Sequence, residues 1–311
     1  MNTEPTRLLS PSRISTLVET LERDGIVQVP GLVDAEALAA MQRAFGAAVR
    51  HPSWNTWRGH EQTDRFRRMV EDILLLDPAF QALGLDPLVR EVAAAYIGPR
   101  FTLTEVRSWE TVATRRSFHG WHNDAWYDHD LEEVPRELKL ALYLTDVETG
   151  HFSYIKGTHH DTRHRHWRDR EVAHLEDRIV HMQAPAGSTF LFDTAGVHRQ
   201  SSPCLAPRWV VMYNYHDPAL PLQEIDVRQY RYAPLHLNAA FLGGLGEEEQ
   251  RVLGFGNRST WRRGFRPPRR FATTHDAIAR WLRARLVVED GLQTVREVVD
   301  GVRRRLGGRR G

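Results

Sequence analysis

Apolar residues recur every three or four positions through the first hundred residues, a spacing that predicts amphipathic helices. The first of these helices carries the apolar stripe Ile14, Leu17, Val18 and Leu21. Gly25 is expected to end it, and Asp34 to cap a second helix at its N-terminus. A further helix is predicted around residues 66–74, and Asp86 is expected to cap one that begins at Pro87.

The pattern changes between about residues 101 and 216, where alternating and β-branched runs predict β-strands. The alternation is clearest in residues 138–145, where one face is leucine throughout and the other is mixed. The mixed face consists of Lys139, Ala141, Tyr143 and Thr145. Since successive side chains of a strand point to opposite faces, we expect the leucine face to pack on helices and the mixed face to look into a barrel.

After residue 217 the chain reads as irregular and glycine-rich, and two closing helices are predicted near 275–287 and 292–305. Residues 217–311 hold 18 arginines against 11 acidic residues, a net charge of +7, which leaves −5 for residues 1–216 given the total of +2. Such a basic segment could meet an acidic partner or nucleic acid. Because no nucleic-acid-binding module is recognisable, we favour a solvated face and expect no nucleic-acid partner.

Composition places the chain among ordinary globular proteins. With 311 residues, 41% of them hydrophobic, it can bury a sizeable core. Its one cysteine, Cys204, excludes an internal disulfide and is typical of a reducing cytoplasm. No run reaches the length of a membrane span, and residues 1–10 contain no apolar signal core, so we expect a cytoplasmic protein with no membrane partner.

Two histidines and one aspartate form the candidate chemistry of the β region. His122 and Asp124 follow the strand-like run 101–112, and residues two apart in a strand face the same side. His198 closes a second strand-like run, which begins at Ser188. Two histidines and a carboxylate are the ligand set of a non-haem Fe(II) oxygenase, which leaves metal positions open for reaction.

Other short His-x-acid pairs occur, and their surroundings distinguish them from the first pair. About one His-x-Asp is expected by chance in a chain of this composition. The pair His159 and Asp161 follows a predicted turn, and the pair His174 and Glu176 lies in a charged segment. Only the pair at residues 122 and 124 has the strand setting that a metal site needs.

Arg208 opens the strand-like run that follows His198. An arginine can hold a carboxylate through two parallel hydrogen bonds, which suits a dicarboxylate cosubstrate. An ordinary ion pair is the alternative interpretation for this arginine taken alone.

Together these motifs resemble the phytanoyl-CoA dioxygenase-like family of Fe(II)/2-oxoglutarate oxygenases. The resemblance rests on three blocks in the family's order, which are Trp121-His122-Asn123-Asp124, residues 141–159 and residues 186–213, and on a similar opening at residues 24–33. It implies an α+β fold with a mainly β core, a double-stranded β-helix (jelly roll, cupin-like) with flanking N-terminal and C-terminal helices.

The resemblance also implies a division of the chain. We predict a single domain over residues 1–311. Residues 1–100 would hold the N-terminal helices and the first strand, residues 101–216 the double-stranded β-helix, and residues 217–311 a mostly helical, basic C-terminal extension.

By position in the family's motifs, His122, Asp124 and His198 would bind Fe(II), and Arg208 would bind the far carboxylate of 2-oxoglutarate. The implied reaction hydroxylates a small organic substrate, with 2-oxoglutarate and O2 converted to succinate and CO2. Relatives that halogenate carry a small residue where this chain has Asp124, so halogenation is not expected.

Three further residues are assigned from strand parity. Tyr143 is a candidate to hydrogen-bond 2-oxoglutarate, and Trp109 and Trp126 are candidates to line the substrate pocket. Plain packing is the competing interpretation for all three.

The chain departs from the family's pattern in residues 148–152, in residues 199–204 and at Val210. These departures bear on the substrate pocket rather than on the metal ligands. Two alternatives stay open: the same iron site giving desaturation or cyclisation, or a non-catalytic β-helix binding protein.

Overall fold

The computed structural model describes residues 10–50, 66–70, 72–116, 120–124, 136–160, 166–217, 241 and 243–254, and the single positions 281, 284, 288, 295 and 299. The α-helices are α1 (Pro11–Asp24), α2 (Ala35–Val49), α3 (Pro78–Gly84), α4 (Pro87–Tyr96), α5 (Asp169–Val172) and α6 (Glu247–Val252). Short 3₁₀ helices cover Ile73–Leu75, Thr158–His160 and Ala173–Arg178.

Eleven strands accompany these helices in the described residues. They are β1 (Ile26–Gln28), β2 (Arg67–Met69), β3 (Thr102–Thr111), β4 (Trp121–His122), β5 (Glu137–Tyr143), β6 (Val147–Ile155), β7 (His166–Trp167), β8 (Ile179–Ala184), β9 (Thr189–Asp193), β10 (His198–Gln200) and β11 (Arg208–His216).

The strands form two antiparallel sheets. The larger has the order β1-β9-β5-β11-β3-β2, and the smaller has the order β7-β4-β10-β6-β8. Strands close in sequence are thus divided between the sheets, as in a jelly roll. The predicted mainly β jelly-roll core with flanking N-terminal helices is confirmed.

The two faces of β5 divide the core as its sequence predicts. Its leucines join a buried cluster with apolar residues of the N-terminal helices, among them Leu21 and Phe45. Ala141 and Tyr143 point the other way, into a second cluster between the sheets that contains Phe152 and Phe190. The helices therefore cover the outer face of the larger sheet, and the inner face is left to build the site.

Helix ends agree with the capping signals in the sequence. The side chain of Asp34 accepts a hydrogen bond from the backbone N–H of Ala37 at 2.8 Å, and α2 begins next to it. The side chain of Asp86 likewise accepts a hydrogen bond from the backbone N–H of Leu88 at 2.9 Å, and α4 begins at the residue after Asp86. Gly25 ends α1 with a φ of 76°, in the left-handed region that glycine adopts most readily.

The helix predicted around residues 66–74 is wrong. The structure has strand β2 there, followed by the 3₁₀ helix Ile73–Leu75. Residues 67–69 pair with the edge of β3, with Arg67 opposite Thr111 and Met69 opposite Trp109. Pairing with an open sheet edge satisfies the backbone of this segment, so the long-range contact overrides the local helical spacing.

The C-terminal prediction falls mostly outside the described residues. Within the predicted helices at 275–287 and 292–305, the single described positions 281, 284, 295 and 299 are helical, and so is position 288 between the two ranges. Helix α6 was not anticipated by the sequence pattern. The division of the whole chain into one domain with three parts stays a prediction. Within the described helices, no segment has both the length and the apolar character that crossing a bilayer requires.

Candidate metal centre

Strand pairing in the smaller sheet brings the two predicted histidines face to face. His122 on β4 and His198 on β10 are directly opposite each other, with ring centroids 4.4 Å apart. Asp124 lies just beyond β4, where its backbone N–H donates to the carbonyl oxygen of Thr194 at 2.8 Å. The three side chains form one possible metal site among the described residues, with all ligand atoms within 4.8 Å of one another.

Each histidine is held by the same backbone contact. Nδ1 of His122 lies 2.8 Å from the carbonyl oxygen of Gly120, and Nδ1 of His198 lies 2.8 Å from that of Gly196. Because a carbonyl only accepts, Nδ1 must carry the proton and Nε2 the lone pair. Both rings are therefore fixed in the tautomer in which Nε2 can ligate a metal ion.

Burial keeps these rings neutral. It lowers the pKa of His198 to about 3, with the neighbouring His122 adding to the effect. Burial likewise lowers the pKa of His122. Since a metal ion binds the neutral form of imidazole, both side chains are in the ligating state at neutral pH.

The spacing of the donor atoms suits a single ion. Nε2 of His122 lies 3.9 Å from Oδ1 of Asp124, and Nε2 of His198 lies 3.8 Å from Oδ2. With metal–ligand bonds of about 2.1 Å, two ligands of one ion are at most about 4.2 Å apart. Both separations, each to a different oxygen of Asp124, are within that limit. Two imidazole nitrogens and a carboxylate are a donor set that suits Fe(II).

Lys139 contacts Asp124 in the metal centre and was not predicted as a site residue from the sequence. Its ammonium nitrogen lies 2.5 Å from Oδ2 of Asp124, and the two side chains are 9% and 16% exposed. Burial is the largest single effect and acts to raise the pKa of Asp124. The charge and hydrogen bond of Lys139, together with the two histidines, outweigh it and hold that pKa well below its usual value. The signal was present in the sequence, since strand parity places Lys139 on the same face of β5 as Tyr143.

Arg208 begins β11 and is 3% exposed. Its guanidinium donates to the carbonyl oxygen of Gly150 at 2.6 Å and to Oε1 of Gln200 at 2.8 Å. Its buried Nε has no hydrogen-bond partner among the described residues. A buried guanidinium with an unused donor, and with no carboxylate paired to it in the described part of the chain, fits an anionic ligand.

Tyr143 lies beside this arginine. Its ring centroid is 5.9 Å from the guanidinium carbon of Arg208, and its hydroxyl oxygen accepts the backbone N–H of Phe152 at 3.0 Å. The hydroxyl can still donate one hydrogen bond. Its assignment to a cosubstrate therefore stays a prediction.

The metal centre and Arg208 line the same cleft, which opens to solvent. Trp109 lines this cleft, together with Arg67 and Arg107, which sequence reasoning had not singled out for a role. Trp126 lies outside the described residues.

The other His-x-acid pairs do not contribute to the centre. His159 is buried in a 3₁₀ helix with Nε2 3.2 Å from the carbonyl oxygen of Glu22. Its sequence partner, Asp161, lies outside the described residues. His174 and Glu176 belong to the 3₁₀ helix Ala173–Arg178, away from the group of three.

Comparison with known proteins identifies the family of this chain. A sequence model of the family described as phytanoyl-CoA dioxygenase (PhyH) matches residues 21–202, more than half of the chain. No curated protein matches the sequence.

Several solved structures share the fold at low sequence identity. EctD from S. alaskensis, solved with 2-oxoglutarate and 5-hydroxyectoine, is 17% identical, with a TM-score of 0.56 over 79% of this chain and 88% of that chain. The epimerase SnoN, solved with Fe3+, alpha ketoglutarate and nogalamycin RO, is 20% identical, with a TM-score of 0.53 over 76% and 92%. The carbocyclase SnoK from nogalamycin biosynthesis is 19% identical, with a TM-score of 0.53 over 72% and 90%.

Proposed function

The chain belongs to the phytanoyl-CoA dioxygenase family, and from this premise we propose that it hydroxylates a small organic substrate, with 2-oxoglutarate and O2 converted to succinate and CO2. The observation that carries the proposal is one cleft in which His122, Asp124 and His198 converge and Arg208 lies buried with an unused donor.

The two histidines and Asp124 would hold Fe(II), and Arg208 would bind the far carboxylate of 2-oxoglutarate. When bound, Fe(II) with 2-oxoglutarate and O2 supplies the oxidising chemistry, and the protein supplies orientation and exclusion of water. Two solved structures of the same fold hold these groups: EctD was solved with 2-oxoglutarate, and SnoN with Fe3+ and alpha ketoglutarate.

The chain's own residues orient the site. The carbonyls of Gly120 and Gly196 hold the two imidazole rings, and Lys139 holds one carboxylate oxygen of Asp124. Gly150 and Gln200 fix the Arg208 guanidinium, so little side-chain freedom is lost when an anion binds.

Aromatic side chains limit water around His198. The ring centroids of Phe152 and Phe192 lie 5.3 and 5.4 Å from that of His198, and both phenylalanines line the cleft. Such apolar walls strengthen the electrostatic interactions inside the site.

Asp124 favours oxygen transfer over halogenation, because it fills the position that a halide would need. Desaturation or cyclisation by the same residues is the second candidate, since one structure of the same fold is a carbocyclase. The mass of the product separates them: hydroxylation adds one oxygen atom, whereas desaturation and ring closure each remove two hydrogen atoms.

Two lesser inferences accompany this function. We infer that the partner is a small molecule rather than nucleic acid. The single buried thiol of Cys204 is consistent with a cytoplasmic protein.

Substrate-free turnover tests the enzymatic part of the proposal. Purified protein given Fe(II), ascorbate and 2-oxoglutarate in air is expected to release succinate slowly. His122→Ala should abolish this release, whereas His174→Ala, which changes a histidine outside the metal centre, should not. Succinate release that is absent in folded wild type, or unchanged in His122→Ala, would favour the non-catalytic binding protein.

A further inference from the structure

One wall of the cleft carries two arginines around a tryptophan, and we call it the arginine wall: Arg67, Arg107 and Trp109. Arg107 and Trp109 share the inner face of β3, and Arg67 comes from the neighbouring strand β2. The guanidinium carbon of Arg67 lies 4.7 Å from the centroid of the Trp109 ring. A guanidinium over an aromatic face is a stable arrangement that restricts the side chain.

Trp109 has an unused donor at this wall. The residue is 5% exposed, and its buried indole N–H has no hydrogen-bond partner among the described residues. Buried donors of this kind are rare, since leaving one without a partner is unfavourable. A ligand in the cleft that accepts a hydrogen bond would satisfy it.

The cleft is positively charged over its described lining. Its ionic side chains are five cations, Arg67, Arg107, Lys139, Arg199 and Arg208, and two carboxylates, Glu105 and Asp124. Asp169, outside the lining, pairs with Arg199 at 2.7 Å, so the formal excess is two positive charges. The charges of a divalent metal ion and a dicarboxylate cosubstrate would cancel each other. The excess positive charge of the cleft would therefore remain when both are bound.

The charges at the arginine wall also repel one another. Burial first, and then the charges of Arg107 and Arg208, lower the pKa of Arg67 to about 9. Arg67 is still protonated at neutral pH, and an anion at the wall would relieve this repulsion. Arg107 forms an ion pair with Glu105, whose Oε1 lies 2.8 Å from Nε of the arginine.

The arginine wall is separate from the position assigned to 2-oxoglutarate. On adjacent strands Arg208 is opposite Thr111, and Thr111 is opposite Arg67. Two strand spacings amount to about 10 Å, so the backbones of Arg67 and Arg208 are that far apart on the same inner face. Arg208 is anchored by Gly150 and Gln200, whereas the Arg67 guanidinium lies over the Trp109 ring, so the two groups are positioned independently and each can hold an anion of its own.

We propose that the substrate of this enzyme carries an anionic group, a carboxylate or a phosphate, which binds at the arginine wall by accepting hydrogen bonds from Arg67 and Trp109. This inference rests on the proposed function, because it assumes that the metal centre and Arg208 are occupied by iron and 2-oxoglutarate. It assigns the side of the cleft formed by β2 and β3 to substrate recognition.

Anaerobic calorimetry on protein saturated with Fe(II) and 2-oxoglutarate tests the proposal. The probes are benzoate for a carboxylate, inorganic phosphate for a phosphate, and benzamide as the neutral counterpart of benzoate. At least one anionic probe should bind wild type, and benzamide should bind at least about tenfold more weakly than benzoate if the carboxylate is preferred.

Three variants locate the binding. Arg67→Gln should weaken the preferred anion at least about tenfold, and Trp109→Phe, which keeps the ring but removes the N–H, about fivefold. Arg68→Gln is the matched control. It removes the next charge along β2, which is exposed and paired with Glu110, and it should leave the dissociation constant unchanged.

Anion binding that is absent in wild type, or equal in wild type and Arg67→Gln, would overturn the inference. Equal binding of benzamide and benzoate, with no binding of phosphate, would overturn it as well. If the Fe(II) and 2-oxoglutarate complex itself does not form, the proposed function fails instead, and the visible absorption of the same samples shows which of the two has failed.

Discussion

Lys139 donates a 2.5 Å hydrogen bond from its ammonium group to Oδ2 of Asp124, the central carboxylate of the candidate metal centre. The lysine compensates the buried carboxylate before a metal ion arrives. Once a cation binds the same carboxylate, two positive charges lie close together in a site of low polarity, where their repulsion is strong. Lys139 therefore stabilises the metal-free protein and opposes metal binding.

Lys139→Met is expected to lower the free energy of unfolding of the metal-free protein by about 3 kcal/mol, since it leaves a buried carboxylate without its partner. Added Mn(II) should stabilise this variant more than it stabilises wild type. Urea unfolding with and without the metal measures both effects.

The chain's other lysine provides the control. Lys156 lies 3.5 Å from Asp24 and is 44% exposed, so Lys156→Met should cost at most about 1 kcal/mol. Equal destabilisation by the two changes, or a smaller stabilisation by Mn(II) in Lys139→Met than in wild type, would contradict this account of Lys139.

Arg208→Lys tests the geometry of the proposed cosubstrate contact while keeping the charge. A lysine cannot reproduce the guanidinium's contacts with Gly150 and Gln200 or hold a carboxylate through two parallel bonds. We expect the dissociation constant for 2-oxoglutarate to rise at least about tenfold, with Mn(II) affinity unchanged. Arg100→Lys, in an exposed ion pair with Asp217, serves as the control. Unchanged 2-oxoglutarate affinity in Arg208→Lys would remove Arg208 from the cosubstrate site.

Gly196 and Gly120 form a matched pair, because the carbonyl oxygen of each accepts a hydrogen bond from Nδ1 of one proposed histidine ligand. A Cβ added at Gly196 would overlap the hydroxyl of Tyr154, whereas one added at Gly120 meets no atom of the described residues within 4 Å. Gly196→Ala should therefore lower the free energy of unfolding by about 1–3 kcal/mol and weaken metal binding through His198. Gly120→Ala should stay within about 0.5 kcal/mol of wild type. Thermal unfolding and Mn(II) titration check both, and similar behaviour of the two variants would refute the prediction.

Asp193 should make stability depend on pH. It is buried and accepts hydrogen bonds from the Tyr96 hydroxyl at 2.6 Å and from the Ala195 N–H at 2.8 Å. Burial outweighs these bonds and raises the pKa of Asp193 to about 7. A raised pKa in the folded state gives a stabilisation that is fully present below the ordinary carboxyl pKa of about 3.9 and is lost as the pH rises to about 7.

Asp193→Asn removes this titration. The free energy of unfolding of wild type, relative to the variant, should therefore fall between about pH 4 and pH 7 and level off above. Urea unfolding of both proteins across this range measures the difference. A difference that is constant with pH, or that grows with pH, would contradict the raised pKa.

Local sequence signals predicted much of this molecule. Capping residues such as Asp34 and Asp86 act within a few positions, so the N-terminal helices could be located from the sequence. The alternation in β5 likewise showed which face meets the helices. Strand β2 was mistaken for a helix because its pairing with β3 involves residues about forty positions away, which no local pattern reports.

The site divides in the same way. His122, Asp124 and His198 could be named from residue type and spacing. The direct pairing of His122 with His198, and the reach of Lys139 to Asp124, depend on how β4, β5 and β10 assemble in space. Arg67 carried no signal of its own, since its place in the cleft follows from the unpredicted strand β2.

The most direct test of the central claim is an anaerobic titration of the metal-free protein with Fe(II) and then 2-oxoglutarate, followed by visible absorption. Wild type should develop the charge-transfer band of chelated 2-oxoglutarate. His122→Ala should not develop it, and Arg208→Ala should need more 2-oxoglutarate to reach it. A folded wild-type protein that binds Fe(II) and 2-oxoglutarate without any band, or that shows the same band in His122→Ala, would contradict the assignment of this cleft as an Fe(II)/2-oxoglutarate centre.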